Sequence, residues 1–258
     1  MAAGLDSGVL VVDKPAGRTS FAMVKAVRRL TGVKKVGHAG TLDPFATGLL
    51  LVCIGRPATR LIPFFMDGQK EYLATLELGR ESTTQDPEGD ITTSGNPEGL
   101  TSEIIEPVLE EFRGKILQTP PAFSALKHKG KPLYHYARRG MPVIKEAREV
   151  QIHQLEWLDR RSLIQVDNHL LKLKIRCGKG TYIRSLAADI GTALGCGAYL
   201  TALRRVGSGF FTIDQGVSGR AFYEDGAVQV IREALLSVEQ VQNILQNSNE
   251  PYNVSCSN

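Results

Sequence analysis

The segment Gly37–Ile54 reads GHAGTLDPFATGLLLVCI and joins a glycine-rich loop to a run of apolar residues. Leu49–Ile54 is apolar at every position, which is typical of a strand buried on both faces. The loop Gly37–Gly48 contains three glycines and the dipeptide Asp43-Pro44, and the proline biases the aspartate toward an extended conformation. The segment therefore predicts a constrained loop, anchored in the core, that presents one carboxylate. Asp-Pro is also a common turn dipeptide, so a purely structural aspartate is the alternative.

Outward from this segment, hydrophobic periodicity predicts a series of strands and helices. Strands are expected at Val9–Val12, Tyr72–Leu78, Leu171–Cys177 and within Tyr199–Ile213, and helices at 19–32, 104–114, 183–195 and 233–245. The elements interleave without the regular βαβ rhythm of a doubly wound fold. We therefore expect an α+β fold with a mixed, mainly antiparallel sheet flanked by helices and loops.

Local signals sharpen some of these predictions. In the first helix, Thr19 or Ser20 can cap the N-terminus and Gly32 can end the C-terminus. Its expected apolar face carries Phe21, Val24, Val27 and Leu30. Arg80–Gly99 is rich in Ser, Thr, Pro, Gly and acids and predicts a surface excursion, whereas Pro120-Pro121 predicts a loop or a sheet edge.

The composition is that of a globular chain with a large core. Of 258 residues, 42% are hydrophobic, which is enough to bury roughly three quarters of the unfolded surface. The chain has no long uncharged apolar run and no signal-peptide pattern at its N-terminus, so we expect a soluble cytoplasmic protein. Cys53, Cys177, Cys196 and Cys256 form no C-x-x-C pair, so reduced thiols are expected rather than a zinc or redox site.

Positive charge is concentrated in one stretch of the chain. The net charge is only +4, but Lys127–Arg148 holds seven lysines and arginines against one acid, Glu146. Two tyrosines and two histidines lie among these cations: Tyr134, Tyr136, His128 and His135. Such a stretch can hold phosphates with its cations and stack bases on its aromatic rings. The alternative is a solvated loop and helix face.

Six motifs occur in order along the chain. They are Asp13-Lys14-Pro15-x-Gly17, Gly37-His38-x-Gly40-Thr41-Leu42-Asp43-Pro44-x-Ala46-x-Gly48, Lys70-x-Tyr72, Pro120-Pro121-x-Phe123-Ser124-Ala125-x-Lys127, Gly178-x-Gly180-Thr181-Tyr182-Ile183-Arg184-Ser185-Leu186 and Leu203-Arg204-Arg205. Together they resemble the bacterial family of tRNA pseudouridine synthases that act on uridine 55 of the T loop. The resemblance covers about Gly8 to Ile213 and implies the pseudouridine-synthase fold, with the T stem-loop of tRNA as partner.

The resemblance implies roles for three catalytic residues. Asp43 matches the essential carboxylate that attacks the uridine, in a reaction that requires no cofactor and no metal. One ionised carboxylate can form a covalent adduct or stabilise an oxocarbenium-like sugar. Tyr72 matches a tyrosine that stacks on the target base and assists proton transfer; the alternative is a tyrosine packed in the core. Arg184 matches an arginine that pairs with the aspartate, and its charge would lower the pKa of that carboxyl; the alternative is an exposed helix arginine.

The resemblance also places residues around the substrate. The target base is stacked inside the T loop, so it must be flipped out. His38 matches a histidine that lies against the RNA where the base has left, and a loop histidine without a role is the alternative. Lys14 and Pro15 match residues that border the site, and Leu203 matches an apolar wall of the base pocket. Candidates for phosphate contacts are Lys127, Lys129, Lys131, Arg138, Arg139 and Lys179.

Two features depart from the family pattern. The family has a Thr-Asp-Thr-x-Asp segment after the tyrosine strand, whereas Ser82–Asp86 keeps only the second aspartate, Asp86. Many relatives also carry a C-terminal RNA-binding PUA domain, for which we expect too little chain here. We therefore expect a catalytic domain at 1–220, a helical extension with a polar tail at 221–258, and a monomer without membrane contact.

Two other functions are compatible with the sequence. A non-catalytic RNA-binding or RNA-folding protein could keep the scaffold without the reaction, although such a protein needs no nucleophile beside an arginine. A synthase of the same fold could act on a different RNA.

Overall fold

A computed structural model describes residues 5–158 and 169–247 of the chain. Its strands are β1 (Gly8–Lys14), β2 (Val36–Ala39), β3 (Thr47–Ile54), β4 (Lys70–Leu78), β5 (Arg80–Ser82), β6 (Ile91–Thr93), β7 (Gly114–Gln118), β8 (Lys127–His128), β9 (Lys131–Pro132), β10 (Arg148–Trp157), β11 (Leu170–Cys177), β12 (Ala198–Ser208), β13 (Phe211–Thr212) and β14 (Val217–Ser218). Its α-helices are α1 (Ser20–Thr31), α2 (Gly55–Thr59), α3 (Ile62–Asp67), α4 (Ser102–Glu111), α5 (Leu133–Ala137), α6 (Ile183–Ala193), α7 (Ala227–Ala234) and α8 (Val238–Asn247).

One large sheet organises the described residues, in the order β14-β1-β3-β12-β4-β11-β10-β7, with β2 added to β3 and β13 to β12. Only the pairs β1–β14 and β3–β12 are parallel among the pairings of this sheet. Helices and loops flank it. The prediction of an α+β fold with a mixed, mainly antiparallel sheet is confirmed.

Strand β3 is buried on both faces, as its unbroken apolar sequence predicts. Leu50, Val52 and Ile54 join the larger core, which also contains Val24 and Val27 of α1. Leu49, Leu51 and Cys53 join a second core on the opposite face. The loop prediction was wrong at its first residues, because Val36–Ala39 forms strand β2, paired antiparallel with β3. Glycine composition alone did not reveal this edge pairing.

Helix α1 begins and ends where its caps predict. The Thr19 side chain accepts a hydrogen bond from the Ala22 amide, and Gly32 closes the helix with φ at 73°. The expected apolar face was wrong at Phe21, which is 50% exposed and lies against Lys25 and Arg28. Strict three-residue spacing drifts around a helix of 3.6 residues per turn, so Phe21 and Leu30 lie about half a turn apart.

Strands β4, β11 and β12 and helices α4 and α6 confirm the predicted elements, and Pro107 is accommodated inside α4. Strand β10 was not predicted. A register shift between Ile152 and Gln154 interrupts the alternation of buried side chains on which such a prediction depends. The surface excursion at Arg80–Gly99 contains the hairpin β5–β6. The expected surface location was wrong at Asp86, because this residue is only 3% exposed.

The C-terminal residues pack on the first strand. Leu236 and Val9 exchange backbone hydrogen bonds of 2.9 and 3.0 Å, and Val241 of α8 enters the second core. The expected terminal helix is two helices, because the first ends at Ala234. The polar tail from 248 onward, including Cys256, lies outside the described residues, whereas Cys53, Cys177 and Cys196 are buried free thiols. Within the described ranges, every helix is too short or too polar to span a membrane.

Candidate active site

A cleft of about 410 Å³ opens where the loop after β2 meets strands β4 and β12 and the start of α6. Its walls include Asp43, Tyr72, Arg184 and Leu203, which lie far apart in the sequence. The structure thus brings together all three residues expected to be catalytic and the expected apolar wall. Within 5–158 and 169–247, no three His, Cys, Asp or Glu side chains cluster as metal ligands would.

The loop that carries Asp43 is held by the chain around the start of α1. Ser20 Oγ accepts a hydrogen bond from the Leu42 amide at 2.8 Å and donates one to the Leu42 carbonyl at 3.0 Å. The Gly17 amide donates to the Pro44 carbonyl at 2.9 Å. These bonds fix the backbone on both sides of Asp43, so the carboxylate is presented from a rigid position.

Lys14 and Pro15 hold the backbone of this loop in place. Lys14 is fully buried, and its Nζ donates to the carbonyls of Pro15, Arg18 and Pro44 at 3.0, 2.6 and 3.2 Å. Burial lowers the pKa of Lys14 to about 8, although the Asp43 charge opposes the shift. The ammonium of Lys14 therefore holds the backbone of the Asp43 loop, and the half-buried Pro15 contributes a carbonyl to that arrangement. That Lys14 and Pro15 border the substrate stays a prediction.

Arg184, at the start of α6, is 3% exposed, so the alternative of an exposed helix arginine is wrong. Its Nε lies 3.0 Å from Asp43 Oδ2, and its Nη2 lies 3.3 Å from Asp43 Oδ1. The same guanidinium donates to the carbonyls of Thr84 and Phe123 at 2.8 and 2.7 Å. The pairing with Asp43 is therefore held in place by backbone acceptors, while the Asp43 side chain stays 34% exposed toward the cleft.

Asp86 meets Arg184 from the other side. Its Oδ2 lies 3.3 Å from Arg184 Nη1, and its Oδ1 accepts hydrogen bonds from Thr84 Oγ1 at 2.5 Å and from the Glu88 amide at 3.0 Å. The one aspartate that the segment Ser82–Asp86 retains is thus the one that contacts the arginine. This explains why a residue in a polar excursion is buried.

The pKa of Asp43 results from opposing effects. Burial raises the pKa of this carboxyl, the Arg184 charge and hydrogen bond lower it, and the Asp86 charge raises it again. The lowering by Arg184 was expected from the sequence, but burial outweighs it. The net pKa therefore lies above the ordinary value of an aspartate.

Tyr72 forms the floor of the cleft on β4, where its side chain is buried. Burial raises the pKa of its phenol, and the charge of Arg205 on the neighbouring strand opposes the shift. Leu203 of β12 also lines the cleft, as the expected apolar wall. Tyr72 therefore packs in the core, as the alternative expected, and also lines the cleft, as a substrate-stacking residue would.

The remaining predicted contacts lie outside the lining of the cleft. His38 is on β2, where burial lowers the pKa of its imidazole and the positive charge of Arg205 lowers it further. Among the described residues, its Nδ1 is buried without a hydrogen-bond partner. Lys127 is exposed on β8, next to Ser124–Leu126, which do line the cleft. Lys179 is exposed and pairs with Asp67 at 2.8 Å.

Sequence reasoning assigned no role to Lys70 or Arg205, which both line the cleft. Both stand in the motifs quoted above, two residues from Tyr72 and Leu203. Side chains two residues apart on a strand share a face, so this spacing was the available signal. Lys70 Nζ donates to the carbonyls of Phe65, Met66 and Gly68 at the end of α3.

Comparisons with known proteins identify relatives over most of the chain. Residues 28–183 match the family model "TruB family pseudouridylate synthase (N terminal domain)", and residues 184–242 match "tRNA pseudouridylate synthase B C-terminal domain". The tRNA pseudouridine synthase B of Desulfotalea psychrophila is 52% identical over 93% of this chain and 97% of its own length. That of Chlamydia pneumoniae is 44% identical over 85% of this chain and 90% of its own length.

Solved structures share the fold. A chain in the crystal structure of a Cbf5-Nop10-Gar1 complex has a TM-score of 0.67 and 29% identity, covering 93% of this chain. A chain in the structure of an H/ACA RNP bound to a substrate RNA containing 2'-deoxyuridine has a TM-score of 0.65 and 27% identity. This chain spans 63% and 62% of those two chains.

Proposed function

Because the chain belongs to the TruB family of pseudouridylate synthases, we propose that it converts uridine 55 of the tRNA T loop to pseudouridine, with Asp43 as the catalytic carboxylate. The coarser activity, an isomerase that forms pseudouridine in tRNA, follows from the family and its curated relatives. The contact between buried Arg184 and the cleft-facing carboxylate of Asp43 carries the finer assignment.

The reaction breaks the bond between C1′ of the ribose and N1 of uracil and forms a bond between C1′ and C5. The C5 proton is lost and N1 gains one, so atoms balance without an added reactant. A carboxylate can stabilise or capture the electron-poor C1′, or add to the base, while the uracil turns. Arg184 holds the two Asp43 oxygens in a fixed orientation, which favours attack from one direction.

Tyr72 and Leu203 provide the surfaces for the uracil. A phenol ring and an aliphatic side chain can enclose a planar base and exclude water from it. The cleft of about 410 Å³ has room for one nucleoside, and we propose that the target base enters it by flipping. Unstacking costs a few kcal/mol, which the contacts inside the cleft offset.

Contacts with the tRNA backbone are proposed for the surface around the cleft. Lys127, Lys179 and the basic stretch Lys127–Arg148 supply cations, and Arg138 lies over the Tyr134 ring at 5.5 Å. His38 is proposed to contact the RNA beside the flipped nucleotide. Phosphate contacts give affinity and salt dependence but little sequence choice, so the shape of the T loop supplies the specificity.

The test compares the wild-type protein with Asp43→Asn on an unmodified tRNA transcript. Pseudouridine is mapped by carbodiimide labelling and primer extension, with a transcript carrying cytidine at position 55 as a control. We expect a stop at position 55 with the wild type alone, and tRNA binding by both proteins. Binding without a stop would favour a non-catalytic RNA-binding protein, and a stop elsewhere would assign a different RNA site.

A further inference from the structure

Arg205 lies at the junction of the strands that form the cleft. In the sheet its backbone is opposite Gly48 of β3 on one side and opposite Tyr72 of β4 on the other. Its side chain is 1% exposed and reaches the wall of the cleft. One residue therefore contacts the end of the Asp43 loop and adjoins the expected stacking tyrosine.

The guanidinium joins both ends of that loop. Nε donates to the Leu49 carbonyl at 2.6 Å, just after the loop, and Nη2 donates to the Gly40 carbonyl at 2.9 Å, just before Asp43. A Cβ placed on Gly40 would lie 3.1 Å from Arg205 Nη1, and one on Gly48 would lie 2.2 Å from the Arg205 carbonyl oxygen. The loop therefore packs tightly against Arg205, with Gly40 beside its guanidinium and Gly48, at a φ of 99°, beside its backbone.

The charge of Arg205 is not neutralised by a direct partner. Among the described residues its hydrogen bonds go to carbonyl oxygens, and no carboxylate forms an ion pair with it. Burying an unpaired cation costs several kcal/mol, which hydrogen bonds to carbonyls only partly offset. Lys70, a second buried cation, also lines the cleft. A sheet that needed packing alone would be served better by an apolar side chain.

We propose that Arg205 is a positioning residue for pseudouridine formation, which ties both ends of the Asp43 loop to β12 beside Tyr72. The inference rests on the proposed function. Arg205 and Tyr72 are paired across β12 and β4, and both residues line the cleft. A guanidinium carries several donors, so Arg205 holds the carbonyls of Gly40 and Leu49 at the same time.

Variants at Arg205 test this role against a merely structural one. Arg205→Met removes the charge and the donors, and Arg205→Lys keeps the charge but cannot reach both carbonyls. Arg204→Lys is the matched control, because Arg204 pairs with Asp13 at 2.7 Å and does not line the cleft. We would measure the single-turnover rate at saturating tRNA, the Kd for tRNA by filter binding, and the melting temperature of each variant.

We expect Arg205→Met to lose about 10²-fold in rate, with Kd changed by less than about threefold. Arg205→Lys should recover part of that loss, and Arg204→Lys should match the wild type.

Several results would overturn the inference. A wild-type rate in Arg205→Met would do so, as would a loss confined to Kd. If Arg205→Met does not fold, an undiminished single-turnover rate in Arg205→Lys would overturn it. Failure of the wild-type protein to modify any tRNA would instead defeat the proposed function, and this inference with it.

Discussion

Asp43 combines exposure to the cleft with a pKa that its surroundings raise. In the proposed reaction only the ionised carboxylate of Asp43 can attack carbon, so the rate should fall as pH falls through the pKa of Asp43. Burial raises that pKa and Arg184 lowers it. Arg184 therefore has two tasks, to orient the carboxylate and to keep it ionised at lower pH.

Arg184→Gln should separate these tasks. Loss of the cation removes the effect that lowers the pKa of Asp43, so the acidic limb of the single-turnover rate should move to higher pH. The plateau should also fall by about 10²-fold because orientation is lost. Arg184→Lys should shift the limb less, and Arg176→Gln, an exposed arginine on β11, is the control. An unshifted limb in Arg184→Gln would show that Arg184 does not control the ionisation of Asp43.

Lys14 holds the backbone around Asp43 through the hydrogen bonds of its ammonium group. Lys14→Met should remove the Lys14 donor from the carbonyls of Pro15 and Arg18, and one of two donors from the Pro44 carbonyl. The fold should lose about 1 to 3 kcal/mol of stability. Urea denaturation measures this free energy of unfolding, with the exposed Lys34→Met as a control expected within about 0.5 kcal/mol of the wild type. Equal stability of the two variants would contradict the role.

Lys14 also makes the stability of the fold depend on pH. The pKa of Lys14 is about 8 in the folded protein and 10.5 ordinarily, so the unfolded chain binds more protons between these values. Stability contributed by this group therefore rises with pH across that window. The stability of the wild type minus that of Lys14→Met should increase from pH 8 to pH 10, and a flat difference would contradict the shift.

Helix α1 links a local sequence signal to the position of the Asp43 loop. Its N-cap Thr19 precedes Ser20, which holds Leu42 beside Asp43. Strand β12 makes the second link, because it pairs parallel with β3 and antiparallel with β4. These two elements, more than the loop itself, determine where the carboxylate points.

Thr19→Ala tests the first link. The variant loses the hydrogen bond from the Ala22 amide to the Thr19 hydroxyl, 3.0 Å long, and should lose about 1 kcal/mol of stability. Thr101→Ala is the matched control, because the Thr101 side chain makes no cap bond at α4. Thermal unfolding reports both changes, and an equal loss in the two variants would contradict the cap at α1.

The whole molecule carries a modest net charge of +4 with cations concentrated beside the cleft. Acidic partners neutralise some cations, as Asp67 does for Lys179 and Glu149 for Lys115. Tyr136 donates to the His128 carbonyl at 3.0 Å, which orders part of the basic stretch. Affinity for a polyanion should therefore depend on this stretch more than on the net charge.

A double variant, Lys127→Ala with Lys129→Ala, tests that distribution. If both lysines contact phosphates, the slope of log Kd for tRNA against log salt should decrease by about 2 in magnitude, with the single-turnover rate at saturation unchanged. Lys115→Ala is the control, because Lys115 lies on edge strand β7 and pairs with Glu149, and it should leave the slope unchanged. Filter binding across a range of salt concentrations measures both. An unaltered slope in the double variant would place the tRNA elsewhere.

The sequence by itself determined the features that depend on neighbouring residues. Leu49–Ile54 as a buried strand, the caps of α1 at Thr19 and Gly32, and the constrained loop at Asp43 all follow from periodicity and turn chemistry. The motifs also pointed to Asp43, Tyr72 and Arg184 as one site.

Only the tertiary structure decided which distant residues meet and how deeply they are buried. Arg184 and Asp43 are 141 residues apart, and strand order and register bring them together. The packed sheet likewise decides which charged side chains are buried. Asp86 is buried against Arg184, Lys14 beside the Asp43 loop, and Arg205 between β3 and β4. Solvation of a charged group is a property of everything around it, so a local pattern cannot report the free energy or the pKa that results.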